Sequence, residues 1–416
     1  MISMRATPGA AGVMGAVILL AGCAGLDQAN GVSDASNSSA LLADVDPIQL
    51  TVSSIFPETQ VSGQLLRDWM EQVTEMSEGK VTFDFYGDAT LHPATEALSA
   101  LKSGLTQVTF VSTGYWPDQL PVAHWDDLVI QAATADLGFP NVNVAGPPAA
   151  LAHYLEDSPV SEEFAKHNFV PLLPLFSGPS VLTCSSPFDS ADDLSGRTVR
   201  VGNQVAQGEN ESLGMTGVFL PPNDQYEALQ RGVIDCAVNA PTTVLAQDLL
   251  AVAPYATFEG SAVPSSGSMF AIAKNVWDDL PREVQTMMGE ARNVALVNLM
   301  KNQLNVYADF VDAIEATGGA LADPTTIDNE IRGWHASQPD LATAPPDGIH
   351  EADARAHIAM VRDIVDDWKS IITAELSVRP SSGGDVDTLI ESWRAGADIL
   401  DEDAYLAKIN EYTSRY

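Results

Sequence analysis

The chain is short of positive charge. Twenty Lys and Arg stand against fifty-six Asp and Glu, a formal net charge of −36 over 416 residues. Nucleic-acid binding needs a basic face, so that class is excluded. Docking on anionic lipid by charge alone is disfavoured for the same reason. The simplest account of the acid is a solvated exterior. Such a surface repels a small anionic ligand, so any site for one needs a local, well-placed cation. The 45% apolar content is ordinary for a globular protein, and the length suits two sizeable cores.

Long apolar runs are also scarce. Residues 10–20 form one, too short to span a bilayer, and it ends in Leu20-Ala21-Gly22-Cys23. Its small-residue end fits signal cleavage. The four residues match the bacterial lipobox, in which Cys23 takes diacylglycerol and becomes the mature N-terminus. An ordinary signal peptide with a chance Cys is the alternative. Residues 24–46 are rich in Ser, Asn, Asp, Ala and Gly and lack aromatics, which reads as a flexible tether. No other stretch approaches the roughly 18 uninterrupted apolar residues of a spanning helix. The expectation is a signal peptide over 1–22, a tether over 23–46, export, and retention by lipid on the outer face of the membrane.

Cysteine is sparse, with three in all. Setting Cys23 aside leaves Cys184 and Cys236, which are either a disulfide of an exported protein or two buried thiols. Catalytic motifs are missing too. The seven His are scattered without HExxH, and His350 and His357 fall seven apart in an expected helix. There is no CxxC, no GxSxG elbow and no Walker loop. Carboxylates are too abundant for any pair to carry a signal, and Asp401-Glu402-Asp403 reads as a solvated run. No metal or cofactor is expected, and a binding protein is favoured over an enzyme.

What is present is a repeated α/β pattern. Residues 48–55 read as a strand, and Leu65, Leu66, Trp69, Met70, Val73 and Met76 mark one side of a helix. Val81, Phe83 and Phe85 alternate as a second strand; a helix over 94–103 and a strand over 107–111 follow. Pro and Gly crowd residues 137–148, which predicts irregular structure. Extended segments at 169–175 and 181–184 lead toward a second lobe. There, a strand at 198–201, a helix at 224–231 and a strand at 233–238 repeat the β-α-β order. Asp278-Asp279-Leu280-Pro281 starts a helix that runs to about residue 317, roughly 54 Å. Residues 352–376 and 385–400 also read as helical.

The informative stretch is 190–241. Arg200 lies between two Val residues, near the C-terminal end of its strand, where ligands of open α/β sheets bind. A partly buried guanidinium needs an anionic partner, and its planar fork suits a carboxylate. That partner is either a ligand or an internal Asp or Glu. Asn239 ends a strand and can both donate and accept, so it completes a carboxylate shell or simply forms the turn before Ala240-Pro241.

The run ADDLSGRTVRV, then PPNDQYEALQRGVIDCAVNAP, then VWDDLPREVQ, resembles the extracytoplasmic solute-binding subunit of TRAP transporters, the DctP family. The resemblance covers about residues 48–320. It implies a two-lobed periplasmic-binding-protein-like fold (type II), with hinge strands and a long bridging helix. Residues 47–176 and 262–298 are then lobe I; residues 177–261 and 299–416 are lobe II with C-terminal helices. It implies a small organic acid as ligand, a membrane permease as partner, Arg200 as the carboxylate-binding Arg, and Asn239 as the family's Asn in the segment usually written DGQENP. Departures are Ser180, where many members carry a second Arg, and Pro222, where many carry an aromatic. Cys236 replaces a usual Gly, and Cys184 lies on a neighbouring extended segment, which favours a disulfide between them. From the first lobe, Phe56 with Pro57, His92, Thr113, Tyr115 and Trp116 fall on loops after strands and are candidates to pack on the ligand. Asn203 and Gln204 are further candidates. A binding protein of another transporter or a sensor, and an anchored hydrolase, stay open as alternatives.

Overall fold

The computed structural model describes residues 45–58, 60–135, 137–176, 178–202, 204–220, 224–258, 267–378 and 386–415. The expected signal peptide, the lipobox at Cys23, all but the last two tether residues, Asn203 and Pro222 lie outside the described residues. In chain order the strands are β1 (Ile48–Ser53), β2 (Val81–Tyr86), β3 (Val108–Ser112), β4 (Phe169–Leu175), β5 (Val181–Cys184), β6 (Thr198–Val201), β7 (Thr216–Phe219), β8 (Cys236–Asn239), β9 (Tyr255–Phe258), β10 (Ser268–Ala273) and β11 (Ala320–Ala322). They form two sheets, β2-β1-β3-β10-β4 and β11-β9-β5-β8-β6-β7.

Each sheet is mainly parallel, with one strand reversed. In the first sheet β10 runs antiparallel to β3 and β4; in the second β5 runs antiparallel to β8 and β9. Both reversed strands directly follow a crossing from the other sheet. The reason is geometric. A chain arriving from the opposite lobe enters at the carboxyl ends of the parallel strands, so it must run backwards. Val181 at the start of β5 therefore pairs with Asn239 at the end of β8, and Ser268 at the start of β10 pairs with Ser112 at the end of β3. The carboxyl ends of both sheets thus flank the crossings. Ligands of α/β folds bind at such ends.

Four helices shape the lobes and their junction: α1 (Pro121–Thr134), α2 (Asn141–Leu155), α3 (Arg282–Thr317) and α4 (Glu351–Ser370). Helix α3 bridges the lobes. Val284, Met288, Ala291 and Leu299 join the core under the first sheet, whereas Met300, Leu304, Tyr307 and Phe310 join a second cluster that reaches β8 and β9. Each of these side chains larger than Ala contributes about 1.5–3 kcal/mol on burial. The first crossing runs beneath this helix. Tyr307 Oη donates to Pro179 O at 2.9 Å. Gly178 has no room for a Cβ, which would fall 2.1 Å from Asn143 Nδ2 and 2.3 Å from Tyr307 Oη.

Two expectations change. The Pro/Gly-rich segment is not irregular: α2 contains Pro147 and Pro148 and is buried along almost its whole length. Pro148 lacks the N–H that Val144 O would accept, and Tyr405 Oη donates to that carbonyl instead, at 2.6 Å. Tertiary partners thus replace the lost helix bond. The packing of α4 also differs from the one expected. Helix α4 packs on α1 and α2, which precede the first crossing, rather than on the second sheet. Its apolar stripe of Ala354, Ile358, Val361, Val365 and Trp368 gives it that face.

Candidate functional site

Arg200 is the third residue of β6 and lies opposite Ala237 of β8 and Val218 of β7. The strand is pinned at its start by Asp235, whose carboxylate accepts from Thr198 N and Thr198 Oγ1, both at 2.8 Å. The Arg200 side chain is 7% exposed. Its Nε donates to Leu220 O at 3.2 Å, and Nη1 donates to Val238 O at 3.3 Å and Asn239 Oδ1 at 3.1 Å. Three of the five N–H groups are thereby spent on orienting the fork. Among the described residues no acceptor takes Nη2, and no carboxylate pairs with this guanidinium. Gly202 keeps the space beside it, since a Cβ there would lie 3.3 Å from Nη1 and 3.4 Å from Nη2. Burial pushes the guanidinium below its ordinary value.

Asn239 stands beside Arg200. Its Oδ1 accepts from the guanidinium, and its Nδ2 donates to Gln225 Oε1 at 3.0 Å. Gln225 is fully buried and donates in turn to Gln247 Oε1 at 2.5 Å. The line Arg200–Asn239–Gln225–Gln247 fixes the amide and so the fork. Sequence reasoning missed Gln225 and Gln247. Gln225 lies within the resembling run, two residues after a Pro-Pro-Asn segment; Gln247 gave no signal. Cys184 and Cys236 are register partners on β5 and β8 and are joined by a buried disulfide. Closing a loop of 52 residues contributes about 4 kcal/mol in the chain-entropy account. The bond also ties the strand bearing Asn239 to the strand that Ser180 precedes.

The first lobe presents a different surface. Tyr115 closes a turn after β3 and is 48% exposed. Burial raises its phenol above the ordinary value, and the charge of Arg200 in the other lobe offsets part of that rise. Trp116 is only 8% exposed; it joins the core and meets the Tyr115 ring edge-on at 5.9 Å. It supports Tyr115 rather than lining the opening. Phe56 is half-buried and packs edge-on against Phe110 at 5.0 Å. His92 is buried. Its Nδ1 donates to Pro93 O at 2.9 Å, because a carbonyl can only accept. Its Nε2 lies 2.8 Å from Ser53 Oγ and 3.1 Å from Thr109 Oγ1. This ring ties β1 to β3 and has nothing left for a ligand. Thr113 is buried against Asp127. The Gln204 side chain, like Asn203, lies outside what is described.

Ser53 and His92 do bring a hydroxyl to an imidazole, but both are buried and the pair is closed off by Thr109. The one grouping suited to a metal among the described residues is Asp126, His153 and His357, away from Arg200 in the chain and from the residues around it. Sequence spacing hid it.

Two α/β lobes, crossed by paired strands and one long helix, with a buried guanidinium at the carboxyl ends of a sheet, define a two-lobed solute receptor. A model of the family described as bacterial extracellular solute-binding protein, family 7 (DctP), matches residues 52–331. The chain belongs to this family, and it is a TRAP-type solute receptor rather than an enzyme. It is 22% identical over 326 residues to a solute-binding protein of Albidiferax ferrireducens, covering 74% of this chain and 89% of that one. Among solved structures it resembles DctP7 of Bordetella pertussis, a receptor binding pyroglutamic acid, at a TM-score of 0.62 and 16% identity, covering 76% of this chain and 99% of that one. It also resembles a marine metagenome TRAP solute-binding protein in complex with 3-hydroxybenzoate, at a TM-score of 0.62 and 18% identity, covering 78% and 99%. No helix among the described residues is long and apolar enough to cross a membrane. Residues 332–416 lie beyond the family match.

Proposed function

We propose that this protein captures a small organic carboxylate between its lobes, with Arg200 as the anchor, and delivers it to the membrane permease of a TRAP transporter. One observation carries the carboxylate reading. Arg200 is buried, oriented by three hydrogen bonds, and without a carboxylate partner among the described residues. A buried cation left uncompensated is costly, and a ligand carboxylate on Nη2 relieves that cost.

The ligand has one anionic end and a largely apolar or cyclic body. Of the residues named at this end of the two sheets, Arg200 is the one cation; Ser180 supplies none, and Tyr115 supplies an aromatic face from the other lobe. Pyroglutamate and 3-hydroxybenzoate, held by two similar receptors, each set one carboxylate beside a ring.

Binding then proceeds in three stages. The open lobes admit the anion, and Nη2 takes its oxygens while Asn239 holds the fork. Closure brings Tyr115 over the carbon skeleton and excludes water, which strengthens the charge-assisted bonds. The closed form docks on the permease. Lobe I comprises residues 47–176 and 262–298, joined by α4; lobe II is built on residues 177–261 with the rest of the chain from 299. Cys23 carries the lipid that retains the protein outside the membrane. Acyl-group mass spectrometry on the mature N-terminus, with Cys23→Ser as control, tests the anchor.

The ligand reading is tested by calorimetry against a panel of cyclic and aliphatic monocarboxylates, dicarboxylates and neutral sugars. Saturable binding of at least one monocarboxylate is expected. Binding confined to neutral solutes contradicts the proposal.

A further inference from the structure

Three helices meet at one buried carboxylate. Asp126 lies on α1, His153 in the last turn of α2, and His357 on α4. His153 Nε2 is 2.8 Å from Asp126 Oδ2, and His357 Nε2 is 2.6 Å from Asp126 Oδ1. Each imidazole thus addresses a different oxygen of the same carboxylate. The three ligand atoms all lie within 4.8 Å of one another. Side-chain exposure is 1% for Asp126, 1% for His153 and 3% for His357.

The rings are held in place by packing. Trp125 tilts against His357 at 5.2 Å, the two imidazoles meet edge-on at 5.2 Å, and Tyr154 flanks His153 at 5.4 Å. His153 Nδ1 is buried without a partner among the described residues, so this ring is oriented by its neighbours and by what Nε2 faces. Burial alone pushes the Asp126 carboxyl up. The charge and hydrogen bonds of His153 and His357 outweigh that and hold it below the usual carboxylate range.

A carboxylate sealed between two imidazoles is a donor set for a borderline divalent metal, not for calcium or magnesium, which prefer oxygen alone. The carboxylate and the two imidazole nitrogens supply three protein ligands, and the fourth position of a tetrahedral zinc is left to a water. Zinc bonds of about 2.0–2.2 Å place neighbouring donors roughly 3.3 Å apart, so each nitrogen–oxygen pair would open by about half an ångström. We propose that Asp126, His153 and His357 form a structural zinc site that staples helix α4 to α1 and α2. His357 lies outside the family match, so the staple belongs to the C-terminal helices of this chain.

The test uses the full mature chain without a tag. After one equivalent of zinc and desalting, elemental analysis is expected to find about one zinc per chain, because the three ligands are buried and exchange with solvent is slow. Zinc is expected to raise the Tm by several degrees and a chelator to reverse it. Cobalt in its place is expected to give visible d–d bands. Asp126→Asn and His357→Gln are expected to reduce retained zinc to background. Zinc retained equally by Asp126→Asn overturns the proposal. So does a wild-type chain that shows no saturable zinc binding and no change in Tm, which would leave a hydrogen-bonded triad. If the variants fail to fold, the wild-type titration and the cobalt spectrum decide alone.

Discussion

The two lobes meet with strand ends of the same kind and use them in opposite ways. In the first sheet, the polar groups at the end of β1 and at the start of β3 beside it are spent on one another: Ser53, Thr109 and His92 close a local network. In the second, Asn239, Gln225 and Gln247 form a chain that ends on Arg200 and stops short of neutralising it. A saturated network stabilises its own lobe. A network that orients a cation and, among the described residues, leaves Nη2 free leaves room for something that arrives later. On the proposed function, one lobe reads charge and the other, through Tyr115, reads shape.

Affinity measurements on single variants can break or sharpen this division. The largest loss is expected at Arg200→Lys, because a point charge cannot satisfy the Leu220, Val238 and Asn239 acceptors and also meet the ligand. Loss of a buried charged partner costs about 2–5 kcal/mol, roughly thirty-fold to several thousand-fold in Kd, read by calorimetry. Gln225→Ala comes next. It never touches the ligand, yet freeing the Asn239 amide is expected to cost about 1 kcal/mol, a several-fold weakening. An unchanged Kd would mean that the relay is merely structural. Tyr115→Ala is expected to weaken binding comparably or less, whereas Tyr115→Phe keeps the ring and is expected to stay within about twofold. The smallest effect on affinity is expected at His92→Gln. That variant should lower the Tm by unpairing buried groups, worth about 1–3 kcal/mol, while Kd holds. Weaker binding in His92→Gln at intact folding would erase the contrast between the lobes.

Much of this was legible in the sequence, for identifiable reasons. Arg200 announced itself because alternation with Val199 and Val201 placed a charge inside a short strand, which physics tolerates only with a partner. The bridging helix was legible because thirty-six residues, Arg282–Thr317, pass without Pro, and it ends one residue before Gly318. Other features were not. Helix α2 hides behind two prolines because the Tyr405 hydroxyl that completes it comes from 261 residues away. Trp116 and His92 sit on the loops predicted for ligand contact, and only packing shows that both are turned into the core. The Asp126 cluster joins residues 27 and 231 apart, so no spacing rule could find it.

The central claim is that Arg200 reads a negative charge, and a matched ligand pair isolates it. Kd is measured for the best-binding carboxylate and for its primary amide, with the wild type and with Arg200→Ala. The wild type is predicted to prefer the carboxylate by about a hundredfold, the worth of a buried charge-assisted pair, and Arg200→Ala to lose that preference. A preference that survives in Arg200→Ala, with the protein folded, would contradict the account.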